Sequence, residues 1–85
     1  MQTRIANMAI IVEDQDSVEP INEILHEHAA YVIGRMGVPY RQRQINVISV
    51  VLDAPEDIER KLAERIGALA GVSTEIAYSA QTFSA

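Results

Sequence analysis

The chain has 85 residues, 48% of them hydrophobic, so one small domain with a core is expected and disorder is not. Its formal net charge of −5 opposes general affinity for phosphate backbones. It contains no cysteine, which excludes disulfides and thiolate metal sites, and no apolar run approaches the roughly 18 residues of a membrane span.

Arg4 to Glu13 predicts a first strand, with Ala6, Met8, Ile10 and Val12 on one face and Ile5, Ala9 and Ile11 on the other. The apolar run ends at Glu13 and Asp14, so no signal peptide is expected and the setting is cytoplasmic. A polar turn leads to Ser17, the expected N-cap of a helix of about three turns. Pro20 then falls inside the first turn, where its missing N–H is tolerated. Val18, Ile21, Leu25 and His28, flanked by Ile24, make one apolar stripe.

The helix is expected to end between Glu27 and Ala29, because Tyr31-Val32-Ile33 is β-prone and Gly34, Gly37 and Pro39 follow. A second strand is predicted to Tyr40, with Val32, Met36, Val38 and Tyr40 on one face. Its glycines suggest a bulge or close backbone approach, and Pro39 an edge position. The turn Arg41-Gln42-Arg43-Gln44 is expected to exceed a two-residue hairpin loop. Gln44 to Pro55 is the most strongly patterned stretch. Ile45, Val47 and Val51 point one way and Ile48, Val50 and Leu52 the other. A strand apolar on both faces belongs in the middle of a sheet.

Pro55, Glu56 and Asp57 start a second helix with the stripe Ile58, Leu62, Ile66 and Leu69. Arg60, Lys61 and Arg65 share the outer side with Glu59 and Glu64, and Gly71 is the expected C-cap. Val72 to Tyr78 reads as the last strand. Residues 80–85 are expected to be frayed beyond a core of 4–79.

Strand, helix, strand, strand, helix, strand is the α+β ferredoxin-like order: a four-stranded antiparallel sheet with two helices on one face. Right-handed crossovers place the first and third strands in the middle, and these are the two with double apolar faces. Two helices cover only one sheet face. Ile5, Ala9, Ile11, Ile45, Val47 and Val51 are left over, so a homo-oligomer, dimer or tetramer, packed through the open sheet face is expected. Burying about 400 Å² of apolar area per subunit contributes on the order of 10 kcal/mol before association costs.

The stretches SVEPINEILHEH (Ser17 to His28), IGRMGVPYR (Ile33 to Arg41), INVISVVLDAP and GVSTEIAYS resemble the iron-only hydrogenase system regulators, over roughly Arg4 to Ser79. The resemblance implies a stand-alone ACT-like domain, similar to the C-terminal domain of the nickel-responsive repressor, with a regulatory role. Two departures from that repressor matter. Its DNA-binding ribbon-helix-helix segment has no counterpart, because the first strand is expected within five residues of Met1. Its nickel site needs a His-x-His pair and a cysteine, where this chain has Gly37-Val38-Pro39-Tyr40, so no metal or other cofactor is expected.

His26 and His28 lie two residues apart, about 200° around a helix, and cannot both bind one ion without ligands from a second subunit. Glu13, Asp14 and Asp16 fit a solvated loop and cap. No nucleophile-base pair or phosphate-binding glycine pattern is present, so an enzyme is not expected. Three of the seven basic residues, Arg35, Arg41 and Arg43, fall in one acid-free segment. The candidate ligand site is therefore Arg35, Gly37, Tyr40 and Arg41, with Asp14 and His26 behind them, taking a small effector. The alternatives are a protein-interaction adaptor without a ligand, and direct DNA binding through the arginine hairpin.

Overall fold

The computed structural model describes residues 1–84. Six elements follow in order: β1 (Gln2–Val12), α1 (Val18–Glu27), β2 (Val32–Tyr40), β3 (Ile45–Ala54), α2 (Glu56–Gly67) and β4 (Val72–Ser84). The strands form one antiparallel sheet in the order β2-β3-β1-β4, with both helices on one face. This is the ferredoxin-like α+β sandwich, and β1 and β3 are its central strands.

Alternation decides which side chains meet the helices. Ala6, Met8, Ile10 and Val12 of β1 are completely buried, as are Val50 and Leu52 of β3. Ile21, Ile24 and Leu25 of α1 and Leu62, Ala63 and Ile66 of α2 close over them. Val18 and Leu69 pack at the margin.

Several local features differ from the sequence expectations. Val32 does not share a face with Met36, Val38 and Tyr40. Val32 pairs with Leu52, Gly34 with Val51, so Ile33 is an extra residue in β2. This β-bulge reverses the parity of the strand. Val32 packs on the core, while Met36, Val38 and Tyr40 pair with Ser49, Val47 and Ile45 on the uncovered face. Edge strand β2 otherwise stands where Pro39 places it.

Ser17 occupies the N-cap position but makes no capping bond. Its hydroxyl donates instead to the Ala70 carbonyl at 2.6 Å, tying the start of α1 to the loop before β4. Helix α2 ends at Gly67, so Gly71 is not its cap. Gly71 has φ +67° and makes the turn into β4. Its carbonyl accepts from the Glu13 N–H at 2.7 Å.

Residues 79–84 are not frayed: they continue β4 alongside Gln2, Thr3 and Arg4. Ala85, the last residue expected to fray, lies outside the described residues. A register shift between Tyr78 and Thr82 is stitched by Ser79, whose Oγ accepts from the Ile5 N–H at 3.1 Å and donates to the Gln81 carbonyl at 2.7 Å.

Candidate functional site

The helix-side surface of β2 is barely covered by α1, and a trough runs along it. Three hollows share lining residues. The one by the end of α1, about 320 Å³, is lined by Asn22, Leu25, His26, Ala29, Val32 and Arg35. The middle one, about 220 Å³, lies between Val18 and Asn22 on one side and Arg35, Gly37 and Pro39 on the other. The one at the hairpin, about 390 Å³, is lined by Gln15, Pro39, Tyr40, Arg41, Gln44, Ile45 and Asn46. Arg35 and Asn22 join the first two; Pro39 and Asn46 join the second and third.

Local interactions fix the walls. Arg35 Nη2 donates to Asn22 Oδ1 at 2.8 Å, drawing the guanidinium across from β2 to α1. At the other end, Gln15 Nε2 donates to the Gln44 carbonyl at 3.1 Å and Asn46 Nδ2 donates to Gln15 Oε1 at 2.8 Å. Gln44 holds a left-handed conformation, φ 56°, which closes the 3₁₀ turn Arg41–Arg43. Tyr40 OH donates to Gln42 Oε1 at 3.1 Å. Gly37 forms part of the floor. A Cβ built there meets nothing within 4 Å, so the intramolecular packing does not require glycine.

The six candidate ligand residues therefore do not form one cluster. Arg35 and His26 line the hollow by α1, and Gly37 lies in the middle. Tyr40 and Arg41 line the hairpin hollow. Arg35 and Tyr40 are five apart in one strand, so their side chains leave opposite faces. Asp14 stands apart: Oδ1 accepts from the Asp16 N–H at 3.0 Å and caps the short 3₁₀ turn Gln15–Ser17.

His26 is exposed in the last turn of α1, while His28 Nδ1 is 2.8 Å from the Ile24 carbonyl. Among the described residues no three His, Cys, Asp or Glu side chains are grouped to hold a metal ion. No helix among them is long and apolar enough to cross a membrane.

On the opposite face the strand registers give a grid. One row across the sheet is Val38, Val47, Ile11 and Ser73; the next is Met36, Ser49, Ala9 and Glu75; the next is Gly34, Val51, Asn7 and Ala77. Tyr40 and Ile45 extend the grid at one end, Ile5 at the other. Met36 is 64% exposed, Val38 47% and Tyr40 49%.

Glu59 is the charged residue that the helix-face assignment missed. It is completely buried rather than on the outer side of α2, and neither carboxylate oxygen has a hydrogen-bond partner. Desolvation pushes its pKa up to about 7; the Ala54 backbone amide offsets part of this, and Asp53 and Glu56 reinforce it. Arg4 opposes the shift only weakly, its guanidinium being paired with Glu56 at 3.2 Å. The spacing carried the signal: Glu59, Leu62, Ala63 and Ile66 stand at i, i+3, i+4 and i+7.

Residues 4–76 match the TM1266-like family model, described as "Iron-only hydrogenase system regulator, putative". No curated protein matches the chain. Among solved structures, the uncharacterized protein TM1266 from Thermotoga maritima is 25% identical, with a TM-score of 0.85 over 89% of this chain and 96% of that one. The C-terminal domain of the MgtC protein from Mycobacterium tuberculosis is 13% identical, with a TM-score of 0.65 over 89% and 87%. The ACT domain from GTP pyrophosphokinase of Chlorobium tepidum is 16% identical, with a TM-score of 0.57 over 93% and 89%. The last two likenesses concern the fold alone.

Proposed function

The chain belongs to the TM1266-like family of iron-only hydrogenase system regulators, and from that premise we propose a cytoplasmic, non-enzymatic regulatory domain that acts as a homo-oligomer and binds a small anionic effector. The observation that carries the proposal is the exposed, mainly aliphatic patch on the open sheet face, built on Val38, Met36, Val47, Val51, Ile11 and Ile5. Four strands at about 4.8 Å spacing and about eight residues at 3.3 Å give a face of roughly 500 Å² per subunit. A pair of such faces buries about 1,000 Å², the lower bound for a specific interface. The small size of the domain adds to the gain from covering it, since a chain this short buries a modest share of its own surface.

The trough supports the effector part. Arg35 offers a planar, charged donor fork over a floor left open at Gly37, and Arg41 supplies a second cation at the hairpin. The negative charge of the whole chain favours these local cations over a long nucleic-acid surface.

Light scattering tests assembly: the expected mass is a multiple of 9.4 kDa, and Val47→Asp is expected to return it to 9.4 kDa. A wild-type mass of 9.4 kDa sinks the oligomer. Thermal shifts against a panel of anionic metabolites test the trough, because a ligand of the folded state raises Tm. Gly37→Phe fills the floor without meeting a neighbour at its Cβ, so it is expected to leave the unliganded Tm in place and remove the shift. A shift that survives both Gly37→Phe and Arg35→Ala rules this trough out. An absence of shifts across the panel together with capture of a stoichiometric partner protein supports the adaptor reading instead.

A further inference from the structure

The open face is apolar along both central strands except at its middle and at Asp53, which pairs with Ile5 at one end. Ser49 of β3 and Asn7 of β1 lie in adjacent rows, and the Ser49 hydroxyl donates to Asn7 Oδ1 at 2.7 Å. Around them stand Val47, Val51, Ile5 and Ala9 on the same two strands. A polar pair there weakens a purely apolar interface, because a polar group buried without a partner gives up its hydration uncompensated.

We propose that Asn7 and Ser49 are the orientation key of a two-fold, face-to-face pairing of this chain with a second copy; this rests on the oligomer proposed above. The chemistry is self-complementary. The internal bond uses the Asn7 carbonyl oxygen and the Ser49 hydroxyl proton. What each copy presents outward is therefore the Asn7 amide N–H and the Ser49 oxygen lone pairs, a donor and an acceptor that match their counterparts across a two-fold axis. A surface that pairs with itself places its centre on that axis, and the centre of this grid is where the polar pair lies. An aliphatic face alone would slide or rotate over its copy at little cost. A central pair that is satisfied in one arrangement and stranded in the others selects that arrangement, as a lone buried asparagine selects register in a coiled coil.

The absence of cysteine provides the test. Ala9→Cys puts one thiol beside the key, and Ser73→Cys puts one at a corner of the grid. Only thiols whose backbones approach within about 7 Å of their own copies can bridge. Under mild oxidation, Ala9→Cys is expected to cross-link at least about tenfold faster than Ser73→Cys, the contrast expected when one position meets that limit and the other does not. In an Asn7→Leu/Ser49→Val background the mass is expected to stay oligomeric while that ratio collapses toward about one. Ser49→Thr, which keeps the hydroxyl, is expected to hold the wild-type ratio. An unchanged ratio in the double variant, or no excess at position 9 in an oligomeric wild type, overturns the key and leaves the oligomer standing. A wild-type mass of 9.4 kDa overturns the oligomer, and the key with it.

Discussion

Gly71 lies directly against Asp14: a Cβ on Gly71 would sit 2.8 Å from the Asp14 Cβ and 2.9 Å from its backbone nitrogen. With φ at +67°, the position also lies where L side chains are strained. The two effects add, because the obstacle is partly backbone and cannot rotate away. Gly71→Ala is therefore expected to lower stability by about 2 kcal/mol or more, read as a fall in the urea midpoint. Gly37→Ala is the control. Its Cβ would meet open space, so the expected change is within about 0.5 kcal/mol, or slightly stabilising through the unfolded chain. Equal losses at the two glycines would contradict this account.

Glu59 sets a pH dependence whose sign follows from its burial. The folded-state pKa of about 7 lies above the ordinary value of 4.5, so between these pH values the folded chain holds a proton that the unfolded chain has released. Stability from this group is full below about pH 4.5, falls as pH rises toward 7, and is flat above. At about 1.4 kcal/mol per pKa unit the total is on the order of 3 kcal/mol. Glu59→Gln is expected to flatten that window and to be the more stable protein at pH 8. Urea melts of both proteins from pH 4.5 to 8 check it; parallel profiles would show that Glu59 does not titrate in the fold.

The Ser17–Ala70 bond makes a third prediction. Ser17 is buried, and its hydroxyl holds the loop before β4 against the first turn of α1. Ser17→Ala strands a carbonyl and is expected to cost about 1–2 kcal/mol. Asp14→Ala removes an exposed bond within the 3₁₀ turn and is expected to cost about 0.5–1 kcal/mol. The order of the two losses distinguishes a tertiary tie at Ser17 from the N-cap that its position suggests.

The central strands were legible because they are apolar on both faces, a pattern that fits only the middle of a sheet. Glu59 is legible by spacing, at i with Leu62, Ala63 and Ile66 at i+3, i+4 and i+7, but the cost of burying a carboxylate points to the outer side. The division of the candidate site was legible in part: an odd separation within a strand already puts Arg35 and Tyr40 on opposite faces. A bulge in β2 was legible from its glycines, but its place at Ile33, and so the face on which Val32 lies, was not. One extra residue in the run Tyr31-Val32-Ile33 leaves composition and propensity unchanged, yet it reverses every side chain on one side of it. Nor does anything at Ser17 distinguish a hydroxyl that caps its own helix from one that bonds 53 residues away.

That bulge can be tested by deletion. Val32 pairs with Leu52 and Gly34 with Val51, so removing Ile33 leaves Val32 and Gly34 as consecutive residues facing consecutive partners. The ladder becomes regular and both faces keep their side chains. The Ile33 deletion is expected to fold with a stability within about 1 kcal/mol of the parent, since it removes one unpaired residue and no core contact. Deleting Gly37 is different, although it too removes a single exposed residue. The ladder can absorb that loss by taking up the bulge, but Met36 then turns toward α1 and Arg35 turns onto the apolar face. Arg35 loses Asn22, and a guanidinium lies where two sheets are proposed to meet. The expected outcome is a folded chain with the mass of a monomer for the Gly37 deletion, and the parental mass for the Ile33 deletion. Matching masses for the two, with equal melting temperatures, would mean that β2 parity does not govern the open face.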